Sequence, residues 1–175
     1  MKNLIVEGFI GSGKGAVAKA AAKKLKLQVV DVDRRISDRL KMTTAEIYDR
    51  FWEPYYRAME TIVLNELLSL KKEHVIVLGS GVAMMPQNEP YLKELGTVYY
   101  IKLKHQTIVN NMKASEKHGW IRSEAWDEQV AKLYKEREPA YSKVADSVIK
   151  ADGMSVEEIA DEIIKRHLEA GPDAE

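Results

Sequence analysis

Short apolar runs recur along the chain at Asn3 to Glu7, Gln28 to Val32, Val75 to Leu78, Val98 to Leu103 and Ser147 to Ile149, and the stretches between them carry helical spacing. Parallel strands need long crossovers, so this alternation predicts an α/β protein with a mainly parallel sheet covered by helices on both faces. Ala16 to Leu25 is rich in alanine and lysine, both good helix formers, and predicts a helix with one packed and one solvated face. Two or more helices fill the interval from Arg34 to Lys72: Thr43 and Thr44 with Glu46 make an N-terminal cap, and Pro54 opens a longer helix through Leu70. Asp127 to Lys143 reads as a helix. So does Ser155 to Leu168, with Ser155 as cap, Glu157 and Glu158 in the first turn and Lys165, Arg166 and His167 at the end. From Ala114 to Trp126 the pattern gives way to polar residues, glycine and two tryptophans, which we read as a mobile loop, a lid over about residues 112–125. Nothing resembles a repeat or a linker, so one domain is expected over residues 1–170, followed by a frayed tail at 171–175.

A chain of 175 residues is long enough for one sizeable core. Lysine plus arginine and aspartate plus glutamate are both 27, so the balance asks for neither nucleic acid nor an anionic membrane as partner. There are no cysteines, which excludes disulfides, thiolate metal sites and cysteine nucleophiles. No stretch approaches the roughly 20 apolar residues of a membrane span. A monomeric, cytoplasmic enzyme or binding protein is the expectation.

The chemistry starts directly after the first apolar run, where Gly8 to Gly15 read GFIGSGKG. This fits the phosphate-loop pattern GxxxxGK[ST] at every position but the last, where Gly15 replaces a hydroxyl residue. Backbone N–H groups of Gly11, Ser12 and Gly13, with the positive end of the following helix, make a concave anion site, and Lys14 adds a full charge for the outer phosphates. In an open parallel sheet, ligands bind beyond the carboxyl ends of the strands. Asp31 and Asp33 follow the second run and share a face if the segment stays extended. One could serve a magnesium ion or its water shell and the other an attacking hydroxyl; the less favoured alternative is that Asp33 merely caps the next helix. Gly79, Ser80 and Gly81 follow the third run and suit close approach of backbone to a ligand, or a plain turn. Arg57 and Glu60 lie three apart on one helix face and can pair; alone, such a pair is more often solvated.

Together these pieces resemble the shikimate kinase family, through GFIGSGK at the loop, DVD after the second run, AEIYDRF with EPYYRAME, GSG after the third run, and LYKEREPAYSKVAD late in the chain. The resemblance implies the three-layer α/β/α P-loop fold of the nucleoside-monophosphate-kinase type, with a five-stranded parallel sheet. It implies transfer of the terminal phosphoryl of ATP, with Mg²⁺, to a hydroxyl of shikimate, in aromatic amino acid biosynthesis. Asp33 would bind the substrate hydroxyls, Arg57 and Arg137 its carboxylate, Gly79 to Gly81 its ring, Glu60 would orient Arg57, and Asp31 would act near magnesium.

Departures from the family pattern gather on the nucleotide side. Gly15 and Ala16 stand where two hydroxyl residues are usual, Asn111 where an arginine commonly meets the adenine, and His118 where the lid carries its arginine, with Lys117 and Arg122 as substitutes; Arg122 is the candidate for the catalytic cation. Ser80 replaces the middle glycine of a triplet. These changes leave room for a weakly catalytic binding or regulatory protein, or for another hydroxy acid or polyol as acceptor. His74, His105 and His167 show no metal-ligand spacing and read as surface or cap residues. Trp52 reads as lining the substrate cavity or as core, and Trp120 and Trp126 as contacting ligand or anchoring the lid.

Overall fold

A computed structural model of the chain describes residues 2–114 and 126–171. Five strands, β1 (Asn3–Gly8), β2 (Gln28–Asp31), β3 (His74–Val77), β4 (Gly96–Lys102) and β5 (Ser147–Lys150), form one sheet in the order β2-β3-β1-β4-β5. Every pairing is parallel, with β1 central between β3 and β4. Each run seen in the sequence is therefore a strand, displaced by a residue or two at its ends.

Helices α1 (Lys14–Leu25), α2 (Val32–Leu40), α3 (Thr44–Leu67), α4 (Glu89–Leu95), α5 (His105–Ala114), α6 (Trp126–Val144) and α7 (Val156–Glu169) cover the two faces. Alternation along β1 drives the layering. Leu4 and Val6 join the core under α1, α5, α6 and α7, whereas Ile5 joins the core under α2, α3 and α4. At the opposite end of the sheet from the phosphate loop, buried Asn3 ties β1 to β3 and to the end of α4: its Nδ2 donates to the Leu95 carbonyl at 2.7 Å and its Oδ1 accepts from the His74 N–H at 2.8 Å.

Several local expectations change. Helix α2 starts at Val32, immediately after β2, so Asp31 and Asp33 do not lie on one extended face. The cap is Asp31, whose carboxylate accepts from the Arg34 N–H at 3.1 Å, leaving Asp33 in the first turn. Helix α3 starts at the capping box of Thr43 and Glu46, and its longer second segment opens with Pro54 in the first turn, as expected, but stops at Leu67 rather than Leu70. Its helical geometry is interrupted at Trp52, with φ 67° and ψ 171°, a region in which only glycine is unstrained. Trp52 is 74% exposed, so it is neither core nor cavity lining. His167 is not a surface group: it lies between the Tyr99 hydroxyl, 3.1 Å from Nδ1, and the Glu73 carboxylate, 3.0 Å from Nε2.

Candidate active site

Because all five strands run the same way, their carboxyl ends share one edge, and the loops leaving that edge build the site. The loop after β1 turns through Gly11 and Gly13, at φ 81° and 78°, left-handed values that a side chain disfavours. The Ser12 N–H closes the turn on the Phe9 carbonyl at 3.0 Å, and Lys14 begins α1, half-buried at its N-terminus. Burial lowers the Lys14 ammonium from its ordinary value, while Asp33, Asp31 and Glu7 pull it back up. Helix α5 braces the loop: Asn111 Nδ2 donates to the Gly11 carbonyl at 3.0 Å, and a side chain on Gly11 would strike Met112. Gly15 and Ala16 follow in the first turn of α1 and offer no hydroxyl; a Cβ at Gly15 would meet nothing within 4 Å.

The acceptor side is a cavity of about 730 Å³ whose lining includes Asp33, Tyr48, Arg57, Glu60, Ser80 and Arg137. Arg57 and Glu60 are far from a solvated pair. Glu60 is fully buried and Arg57 is 7% exposed, with Nη1 of Arg57 donating to Glu60 at 2.8 Å. The other edge of the guanidinium donates to Glu53, from Nε at 3.2 Å and Nη2 at 3.0 Å. Burial pushes the Glu60 carboxyl upward against the pull of Arg57. Asp33 is raised by its burial too, and the Tyr56 hydroxyl, donating to its Oδ1 at 2.5 Å, works in the opposite direction.

The glycines after β3 are explained by these charges. A Cβ on Gly79 would lie 2.6 Å from both Asp33 Oδ1 and Glu60 Oε1, and one on Gly81 would overlap the Arg57 guanidinium. Neither glycine has a positive φ, so close approach rather than turn geometry requires them. Ser80 is held from α6: its carbonyl accepts from the Tyr141 hydroxyl at 2.5 Å, and its Oγ accepts from Arg137 Nη1 at 3.2 Å. The structure thus brings Asp33, Arg57, Glu60, Ser80 and Arg137 around one cavity. Lys14 and Asp31 are not in that lining, but Lys14 feels the charge of Asp33, which is, and of Asp31.

His118, Lys117, Arg122 and Trp120 lie outside the described residues, as do positions 172–175 of the tail. Trp126 is described and lies in α6, 8% exposed and packed into the core. Sequence reasoning passed over Glu53, Tyr56 and Tyr141. Their helical spacing was the available signal, since Glu53 precedes Arg57 by four residues and Tyr141 follows Arg137 by four. Glu7, fully buried just ahead of the loop, carried no motif and was also missed.

A phosphate loop opening α1, together with a cavity lined by arginines and carboxylates, defines a P-loop kinase of the small-molecule class. The family model for shikimate kinase matches residues 10–167. The chain belongs to the shikimate kinase family. It is 34% identical over 167 residues to a shikimate kinase of Thermodesulfovibrio yellowstonii, covering 95% of each chain. It is 33% identical over 165 residues to one from Legionella pneumophila, covering 94% of each. In three dimensions it is similar to the shikimate kinase of Acinetobacter baumannii in complex with shikimate, with a TM-score of 0.89 and 26% identity, over 99% of this chain and 96% of that one.

Proposed function

We propose that the protein transfers the terminal phosphoryl group of ATP to a hydroxyl of shikimate, as its family does, in the cytoplasm and as a monomer. The observation that carries this reading is Arg57, a buried guanidinium oriented by Glu60 and Glu53 in the cavity wall, with Arg137 facing the same space. Two arginines suit one carboxylate of a small acceptor, because a guanidinium presents its donors as a planar fork. Asp33 then holds the acceptor hydroxyls and takes up the proton as the nucleophile attacks, with Tyr56 fixing its orientation. Lys14 and the N–H groups of Gly11 to Gly13 hold the phosphates, with Gly15 and Ala16 adding backbone only.

The residues fit a magnesium ion in one respect and lack the usual ligand in another. Asp31 offers a carboxylate beside Lys14, and Gly15 offers no hydroxyl. Among the described residues no cluster of three or more acidic or histidine side chains could hold a metal unaided. This accords with an ion held largely by nucleotide oxygens and water, as Mg²⁺ commonly is. When bound, the ion offsets charge on the phosphates. No helix among the described residues is long and apolar enough to cross a membrane.

The test is direct. Purified protein given shikimate, ATP and Mg²⁺ should form shikimate 3-phosphate, and Lys14→Ala should abolish the product. Equal product from wild type and Lys14→Ala, or none from either, refutes the assignment.

A further inference from the structure

Glu7 is the most unusual group near the loop. It lies in β1 one residue before Gly8, with no exposed surface, and neither carboxyl oxygen finds a hydrogen-bond partner among the described residues. Lysine and glutamate are seldom buried unless paired. Its position explains why it matters. Strand alternation puts it on the same face as Ile5, and register sets it against Tyr100 of β4, at the end of β1 from which the phosphate loop leaves.

The charged and titratable groups around it come from several elements. Among the described residues, Lys14 of α1 supplies the attraction that opposes the effect of burial on Glu7. Tyr141 of α6 feels the Glu7 charge, and Arg137 of α6 acts on Lys14. Asp31 and Asp33 face Lys14 from the end of β2 and the start of α2, and Glu60 of α3 meets Asp33 across Gly79.

We propose that Glu7 is a further positioning residue of the phosphate site, a buried acid whose ionisation draws Lys14 away from the nucleotide phosphates. The proposal rests on the reading of Gly8 to Gly15 as a nucleotide phosphate loop. As a neutral acid, Glu7 leaves the lysine charge to the phosphates. As a carboxylate it is a third anion facing Lys14 and repels the phosphates through a poorly solvated gap. The flexible stem of Lys14 lets the ammonium follow the stronger attraction. Burial raises the Glu7 carboxyl to about 8, so the exchange falls within an accessible pH range.

The experiment is calorimetric titration of the full-length protein with ATP and Mg²⁺ across that range, for wild type, Glu7→Gln, Glu7→Leu and Lys14→Ala. Wild-type affinity should be steady below the Glu7 transition and fall by up to about tenfold per pH unit above it, the slope of a single linked proton. Glu7→Gln and Glu7→Leu should both lose that fall. Either variant suffices if the other fails to fold. A fall shared by the wild type and Glu7→Gln would belong to Lys14 itself and would overturn the role of Glu7, as would a flat wild-type profile. Absence of ATP binding by wild type at neutral pH, indistinguishable from Lys14→Ala, would instead overturn the phosphate-loop reading beneath it.

Discussion

Replacing Glu7 with glutamine should change how the stability of the fold depends on pH. The carboxyl ionises near 4.5 when unperturbed and at about 8 in the folded protein, because burial disfavours its charge. A raised carboxyl value means that the folded state binds the proton more tightly than the unfolded state. The penalty is therefore absent below 4.5, grows through the interval, and is complete above about 8. At about 1.4 kcal/mol per pH unit the full penalty is about 5 kcal/mol, and at neutral pH about 3 kcal/mol. The side chain is fully buried, so solvent screening does not reduce this appreciably. Urea denaturation at a series of pH values would measure it. Asp33 and Glu60 are raised as well and slope in the same direction, so the informative quantity is the wild-type stability minus that of Glu7→Gln at each pH. The amide left behind carries its own pH-independent cost, which shifts the difference without tilting it. The stability of the wild type relative to the variant should drop by about 3 kcal/mol between pH 5 and 7.5. A difference that stays constant over that range would refute the reasoning.

Other substitutions probe the acceptor side and the backbone. Tyr56→Phe removes a hydrogen bond that lowers Asp33, so the Asp33 carboxyl should rise and the acid limb of the activity profile should move to higher pH; an unchanged limb would mean that Asp33 need not ionise. Gly81→Ala must displace the Arg57 guanidinium from Glu60, leaving a buried carboxylate uncompensated, and should cost about 3 kcal/mol in denaturation while raising KM for shikimate. In an Arg57→Ala background the same change should cost little, which a double-mutant cycle would show. Trp52→Gly should stabilise the protein by about 1 kcal/mol by denaturation, since strain at φ 67° is relieved and the lost side chain is mostly exposed. Gly15→Ser has open space for its side chain and should lower the Mg²⁺ concentration needed for half-maximal turnover.

The layered sheet was legible because each strand is a short apolar run and each crossover a helix of ordinary composition, so two periodicities were enough. Thr43 with Glu46 and Ser155 with Glu158 fixed helix starts by local hydrogen bonding, which depends on residues three apart and so shows in the sequence. The break at Trp52 did not show, because tryptophan is a residue that local propensity would never place at positive φ. Asp31 and Asp33 were expected on one face because an extended chain was assumed, and the onset of α2 one residue after Asp31 removed that premise. Loop, carboxylates and arginines were legible as residue types at characteristic spacings. Burial was not: Arg57 and Glu60 have the spacing of a surface ion pair, and only the approach of the β3 turn encloses them. Glu7 stood in an apolar run, where nothing local distinguishes a tolerated charge from an error.

Gly79 and Gly81 owe their lack of a side chain to three neighbours, Asp33, Arg57 and Glu60, rather than to their own backbone. The five positions are thus one unit under selection. A larger residue at 79 or 81 is admissible only where a partner at 33, 57 or 60 has shortened. Such exchanges should occur together in lineages that have changed their acceptor, and singly in none that retain it. Gly13 and Gly15, around which a Cβ meets nothing, are free of this correlation, so their histories should run independently of the acceptor pocket.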